Sequence, residues 1–158
     1  MKLKHKLVAL ILIISITIFF SCKKNNDDNI PATKTKPELI TAAPWKRTAL
    51  ISTPAYDWNA DGIFDTNILN IMFPCEKDNL DIYGVNGVFE TNEGATKCNS
   101  SDPQSWTVTW RFAENETKLI FDGTDEYILE ELTATTLKYR STFVEGGVTY
   151  TQVETYGH

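Results

Sequence analysis

Acidic and amide side chains alternate in one short stretch of this chain, at the spacing of a calcium-binding loop. Residues 57–65 read DWNADGIFD, which matches the start of the pattern D-x-N-x-D-G. The side-chain oxygens of Asp57, Asn59, Asp61 and Asp65, together with the main-chain carbonyl of Ile63, form a candidate ligand set for one Ca²⁺ ion.

The twelfth position of such a loop normally supplies a bidentate carboxylate, but here it is Ile68. Glu76 or Asp78 offers a substitute ligand. The alternative is an Asx-rich turn, in which the same side chains accept hydrogen bonds from their own backbone. The sequence leaves both interpretations open, with calcium as the only candidate cofactor.

Catalytic residues are poorly represented. Downstream of the N-terminal segment the one histidine is His158, and both Ser-His-Asp and Cys-His arrangements need a histidine base. The neighbouring carboxylates Glu130 and Glu131 lie in a predicted strand, where successive side chains point to opposite faces. We therefore predict that the protein is not an enzyme.

The N-terminus reads as a secretory leader. Lys2, Lys4 and Lys6 precede an apolar run over residues 7–20, and Ser21-Cys22 follows. This end resembles a bacterial lipobox, which implies cleavage before Cys22 and lipidation of its thiol. The alternatives are an unlipidated cleaved leader and a transmembrane helix, for which the run is short.

The lipobox divides the chain into a signal peptide (1–21), a lipidated polar tether (22–36) and a folded domain (37–158). It predicts an envelope lipoprotein, held in the outer membrane by acyl chains and exposed to the periplasm or the surface. From Cys22 onward the chain carries twelve basic and twenty-one acidic residues, a formal charge of −9. Such an acidic chain is not expected to bind nucleic acid.

The two remaining cysteines are expected to pair. Cys75 and Cys98 form an even pair in an exported chain, and exported proteins form disulfides. A loop of this length corresponds to about 3.5 kcal/mol in the chain-entropy model. Two buried free thiols are the alternative, and no CxxC spacing indicates a redox or zinc site.

Alternation of apolar and polar residues with a period of two, broken by turn residues, predicts eight short strands. They cover residues 45–53, 80–83, 88–92, 106–112, 118–122, 126–132, 136–143 and 148–156. Tight turns such as Asn86-Gly87 join most of them as antiparallel hairpins. The predicted fold is an all-β, eight-stranded up-and-down barrel, because closure removes the two bare edges of a meander. A sandwich is the alternative.

One connection, over residues 54–78, is long. Its apolar residues Ile68, Leu69, Ile71 and Met72 lie at helical spacing, with Thr66 as a candidate N-cap. We predict one short helix that closes an end of the barrel.

Six aromatic residues lie on faces that the alternation predicts to point inward. They are Trp45, Trp106, Trp110, Tyr127, Tyr139 and Tyr150. They support binding of a small, partly apolar ligand inside the barrel. The alternative is a barrel packed solid by these side chains, which acts through its outer surface as an interaction or structural lipoprotein.

Several segments together resemble the lipocalin-like domains of bacterial lipoproteins. They are Ala43-Pro44-Trp45 and residues 57–62, 74–78, 85–89, 93–98 and 147–151. The resemblance implies a lipid-anchored β-barrel without a settled ligand. It also implies an arginine packed over Trp45, for which Arg47 and Arg140 are the candidates. Ala43 departs from the pattern, since lipocalins usually have glycine there.

Overall fold

A computed structural model describes residues 33–158 of the chain. The predicted signal peptide, Cys22 and the tether up to residue 32 lie outside the described residues. No helix in the described part is long and apolar enough to cross a bilayer.

The described chain forms nine strands and three short helices. The strands are β1 (Trp45–Tyr56), β2 (Asp65–Asn67), β3 (Leu80–Tyr83), β4 (Val88–Asn92), β5 (Ser105–Ala113), β6 (Lys118–Phe121), β7 (Asp125–Leu132), β8 (Leu137–Glu145) and β9 (Val148–Gly157). The helices are α1 (Lys36–Ile40), α2 (Ile68–Ile71) and α3 (Pro74–Lys77).

Eight of these strands close into an antiparallel barrel, as predicted. From β3 to β9 each strand pairs with the next, and β1 pairs with both β3 and β9. The β1–β9 ladder runs from Lys46 opposite Gly157 to Thr53 opposite Thr151. Every strand of the ring therefore has two neighbours, which leaves no long bare edge.

The ninth strand, β2, was not predicted. β3 reaches only the first two residues of β1, and β2 pairs with the far half of β1, at Ile51 and Tyr56. It covers an edge that would otherwise be open.

The prediction of a single helix with Thr66 as its N-cap was wrong. Thr66 lies inside β2, and α2 begins two residues later, after Asn67, whose side chain makes no capping hydrogen bond. Since α2 begins only at Ile68, the N-cap position falls on Asn67, and Thr66 lies one residue too early in the chain to cap it. Ile68 and Met72 are nevertheless buried against Leu50 of β1, so this segment packs onto the barrel.

Helix α1 is short but well capped. The Thr35 hydroxyl accepts a hydrogen bond from the Glu38 N–H (3.4 Å), and the Glu38 carboxylate accepts one from the Thr35 N–H (2.8 Å). The indole N–H of Trp45 donates to the Ile40 carbonyl (2.8 Å), which fixes the helix against the barrel. Within residues 33–158, secondary structure therefore begins with α1 at Lys36, capped by Thr35.

The barrel is filled unevenly. The larger cluster of buried apolar residues lies toward the end next to α1 and consists of Ile40, Trp45, Tyr83, Trp110, Leu119, Phe121, Leu137, Tyr139 and Tyr156. The smaller cluster, beside α2, contains only Leu50, Ile68 and Met72. Buried apolar side chains are thus fewer beside α2 than next to α1.

Candidate functional site

A cavity of about 420 Å³ opens at the end of the barrel that carries α2 and α3. Its apolar lining consists of Trp58, Met72, Phe89, Trp106 and the ring of Tyr156. Its polar lining consists of Arg47, Glu76, Asn79, Asp81, Thr91 and Glu93. The site therefore combines aromatic surface with several charged groups.

An ion pair lies at the base of the cavity. Arg47 Nε is 2.9 Å from Glu154 Oε2, and the guanidinium carbon lies 5.5 Å from the centre of the Tyr156 ring. The Tyr156 hydroxyl donates to Glu154 (2.6 Å) and accepts from Tyr139 (2.8 Å) and from Arg47 Nη2 (3.1 Å). This network engages the Nε–H and one Nη2 N–H of the guanidinium.

Strand register explains why these groups meet. Arg47 lies two residues after Trp45 in β1, and Glu154 lies two residues before Tyr156 in β9, so each shares the inward face of a buried aromatic residue. Arg47 and Tyr156 are direct partners across the ladder. Burial alone would lower the pKa of Arg47, but Tyr156 and Glu154 raise it above its ordinary value, so the guanidinium stays charged.

Asp81 is the second polar group at the base. Its side chain is 7% exposed and accepts one hydrogen bond, from the Thr91 hydroxyl (3.2 Å). No Lys or Arg in residues 33–158 forms an ion pair with it. Burial raises the pKa of Asp81 to about 6, helped by Glu154 and opposed by Arg47.

The rim of the cavity is cross-linked. Cys75 in α3 is disulfide-bonded to Cys98 in the loop after β4, with their Cα atoms 5.1 Å apart, which confirms the predicted pairing. The buried Glu93 carboxylate accepts a hydrogen bond from the Cys98 N–H (3.0 Å). Asp78 accepts from the N–H groups of Ala95 (3.1 Å) and Thr96 (2.9 Å).

The six aromatic residues predicted to bind a ligand do not converge on this cavity. Trp106 lines it and is 48% exposed, at the mouth. Trp45, Trp110 and Tyr139 are buried in the larger core cluster, and Tyr127 packs against that cluster half-buried. They fill the barrel because their rings contact one another edge to face, as Tyr127 and Tyr139 do at 5.1 Å.

Tyr150 belongs to a separate group. It stacks on Phe143 at 5.2 Å and meets Tyr56 edge to face at 5.0 Å. The Tyr56 hydroxyl in turn donates to Glu145 (2.6 Å). Of the six residues predicted to form one binding surface, only Trp106 lines this cavity, and ligand binding by the other five stays a prediction.

The polar residues Arg47, Asp81 and Glu154 were missed as site residues. Their signal was present in the sequence, because each lies two residues from an aromatic residue that faces inward, Trp45, Tyr83 and Tyr156 respectively. A charged residue two positions from a buried aromatic residue in a strand shares its face, and it therefore points to the interior of the barrel.

The loop with calcium-loop spacing is held together by its own side chains. The two Asp57 oxygens accept hydrogen bonds from the N–H groups of Asp61 and Gly62, each at 3.0 Å. Asp61 accepts from the Ile63 N–H (2.7 Å) and from the Asn59 amide (2.9 Å). These are the bonds that the Asx-turn interpretation describes.

The proposed substitute calcium ligands are engaged elsewhere. Glu76 accepts a hydrogen bond from the Phe73 N–H at 2.8 Å, while Asp78 accepts hydrogen bonds from the rim loop. In residues 33–158 no three or more His, Cys, Asp or Glu side chains are grouped to hold a metal ion. Calcium binding through Asp57, Asn59, Asp61, Ile63 and Asp65 stays a prediction.

The arginine expected over Trp45 is replaced by another group. The ring of His158 lies 3.9 Å from that of Trp45, and its Nδ1 is 2.9 Å from the Pro44 carbonyl. Arg47 lies over Tyr156 instead, and Arg140 pairs with Glu130 (3.2 Å) at the surface. The packing on Trp45 therefore differs from the pattern that the resemblance implies.

No family model matches the chain, and no curated protein is significantly similar to it in sequence. The fold and the cavity are thus the firmest guides to function.

Proposed function

We propose that this barrel is a non-enzymatic binding protein that holds a small, partly apolar molecule in the cavity beside Trp106. The observation that carries the proposal is the cavity itself. Its volume of about 420 Å³ exceeds the roughly 300 Å³ at which ligand pockets begin. Its mixture of aromatic walls and a few fixed polar groups is typical of small-molecule sites.

The polar base supports binding of a ligand with a polar end. The ion pair between Arg47 and Glu154 is oriented by Tyr156, so its groups are fixed before a ligand arrives. The disulfide between Cys75 and Cys98 fixes the rim in the same way. Because these groups are already held in place, less side-chain conformational entropy is lost when a ligand binds.

Tryptophan fluorescence tests the proposal. Trp58 and Trp106 line the cavity, so a bound probe changes their emission. In a Trp58→Phe background, a neutral fluorescent fatty or terpenoid-like probe is expected to quench this emission saturably, at one probe per chain. Followed through the fluorescence of the probe itself, Trp106→Ala should weaken binding, and Lys138→Ala, on the outside of β8, should not. If a diverse probe set gives no saturable quenching, the binding function is wrong.

A second candidate function is a barrel that acts through its surface. Three apolar side chains in the connection between β1 and β3 are strongly exposed: Ile63 (62%), Phe64 (63%) and Phe73 (67%). Exposed apolar groups of this size mark interaction sites when they are contiguous. Failure of all probes to bind, with a stable fold, would favour this interaction protein.

We further propose that the chain is an envelope lipoprotein of the outer membrane, attached by acyl chains on Cys22. The apolar run over residues 7–20 and the Ser21-Cys22 junction support this, and a Cys75–Cys98 disulfide is in keeping with an oxidising compartment. Mass spectrometry should find acyl groups on an N-terminal Cys22, and Cys22→Ala should accumulate as precursor. A wild-type protein cleaved elsewhere and free of lipid would contradict it.

A further inference from the structure

Building on the proposed function, we propose that the cavity ligand is a small organic cation, an amine or guanidine on an apolar body, whose charged group binds beside Asp81 and Glu93. The inference deepens the binding function by naming the chemistry of the ligand.

The charge of the lining excludes most anions. Three carboxylates line the cavity, Glu76, Asp81 and Glu93, against one guanidinium, that of Arg47. Glu154 already pairs with that guanidinium at 2.9 Å. An anion would therefore face excess negative charge, whereas a cation would be attracted by it.

Two of these carboxylates are buried without an ion pair. Asp81 is 7% exposed and Glu93 is 8% exposed, and among residues 33–158 neither pairs with a Lys or Arg. Their protein partners are neutral donors, the Thr91 hydroxyl for Asp81 and the Cys98 N–H for Glu93. A buried carboxylate is costly unless paired, so a bound cation would supply the missing partner.

The lining also offers an unused acceptor. The side-chain oxygen of Asn79 is buried and accepts no hydrogen bond from the described residues. Buried polar atoms are nearly always hydrogen-bonded in folded proteins. A ligand rich in N–H donors, such as an ammonium or guanidinium group, matches both this oxygen and the two carboxylates.

Aromatic side chains complete the match. Trp58, Phe89, Trp106 and Tyr156 line the same cavity as the carboxylates. Aromatic rings attract cations as well as apolar groups, and tryptophan does so most strongly. An apolar body attached to a cationic head is therefore the ligand that uses the whole lining.

Three probes of similar shape test the charge preference directly. They are 2-phenylethylammonium, 2-phenylethanol and 3-phenylpropionate, titrated calorimetrically against the mature lipoprotein in zwitterionic nanodiscs, with empty nanodiscs as the blank. At about pH 8 the amine is charged and the carboxylic acid is ionised. We expect the ammonium to bind at least tenfold more tightly than the alcohol, and the carboxylate to bind most weakly.

Isosteric variants test the residues. Asp81→Asn keeps an acceptor for Thr91 but removes the charge, and it should weaken ammonium binding about tenfold while leaving alcohol binding unchanged. Asp125→Asn, on the exposed part of β7 away from the cavity, is the matched control and should change nothing. Glu93→Gln gives a second, independent variant. If a variant misfolds, the affinity ranking of the three probes on the wild-type protein still tests the charge preference.

The outcomes separate this inference from the proposed function. Equal affinity for ammonium and alcohol, or tightest binding of the carboxylate, would overturn the cation and leave a binding barrel. If none of the three binds but a neutral fatty or terpenoid-like probe does, only the cation is wrong. If no probe of either set binds, the binding function itself falls.

Discussion

Asp81 is a buried carboxyl group whose ionisation opposes folding. It faces Arg47 from β1, Thr91 from β4, and Glu154 and Tyr156 from β9. Its pKa is about 6 in the folded protein and about 4 in an unfolded chain, so the folded state binds this proton more tightly. The stability that the protonated group contributes is complete below about pH 4 and is lost as the pH rises through about 6.

Replacing Asp81 by Asn should therefore stabilise the protein at neutral pH. Each unit of pKa shift corresponds to about 1.4 kcal/mol, so we expect a gain of about 2–3 kcal/mol above pH 6 that vanishes below about pH 4. Urea unfolding of both proteins across this range measures it. A variant less stable than wild type at neutral pH would show that the carboxylate is stabilised in the folded state.

At the level of single residues, alternation located the inward positions but not their roles. Trp45, Trp110 and Tyr139 point inward as the period of two requires. Whether an inward aromatic ring lines a cavity or packs against other rings depends on side-chains from strands far apart in sequence. No local pattern contains that information, and for this reason Trp106 and the buried Tyr139 looked equivalent.

The disulfide joins two elements that lie outside the barrel strands. Helix α3 has four residues and none of them is buried, and its bond to Cys98 ties it to the loop after β4. Reduction should cost about 3 kcal/mol of unfolding free energy. It should also weaken probe binding, because Glu76, Glu93 and Cys98 belong to the rim.

Thiol counting in denaturant detects the bond. Unfolding with and without reductant measures its contribution to stability, and probe titration under the same two conditions measures its effect on binding. A Cys75→Ala/Cys98→Ala double variant is the control, because reductant cannot change the stability of a protein that lacks this disulfide. Two reactive thiols per unfolded, unreduced chain would contradict the bond.

The loop over residues 57–65 is interpreted either as a calcium site or as an Asx-rich turn, and the two interpretations predict different effects of calcium on stability. Asp57 accepts two backbone hydrogen bonds, so Asp57→Ala should lower stability by about 1 kcal/mol with or without calcium. We expect the same melting curve in millimolar calcium and in chelator, because the carboxylates already have partners within the loop. A rise in melting temperature with calcium that Asp61→Ala abolishes would establish the calcium site instead.

Among the elements, long alternating strands were predictable and very short ones were not. β3 and β4 have the predicted bounds, and Gly87 has the positive φ (78°) that their connecting turn requires. β2 has three residues, too few to show a period. It exists because β1 extends past β3 to Tyr56 and needs a partner there.

At the scale of the whole molecule, two tryptophans of β5 lie in different surroundings. Trp110 is buried in the larger core cluster and its indole N–H donates to the Gly84 carbonyl (3.0 Å), whereas Trp106 lies half-exposed at the mouth of the cavity. Trp110→Ala should cost about 3–5 kcal/mol, as truncation in a filled core does. Trp106→Ala should cost much less.

Chemical unfolding of the two variants compares these costs, and the probe titration shows which one affects binding. Equal loss of stability would mean that the surroundings of Trp106 are packed as tightly as those of Trp110.

Closure of the barrel was predictable from the bare edges of a meander and from the tight turns. The cavity was not predictable, because it depends on how side chains of different size pack across the ring.

Pairing between β1 and β9 has a consequence for how the protein is made. The two strands that close the ring are the first and the last of the barrel to leave the ribosome. Until β9 emerges, the nascent chain holds an open sheet, with unpaired edges on β1 and β8 that invite aggregation. The ring of strands is closed only after synthesis of the last strand, so we expect the nascent chain to be most prone to aggregation just before β9 pairs with β1 and β8.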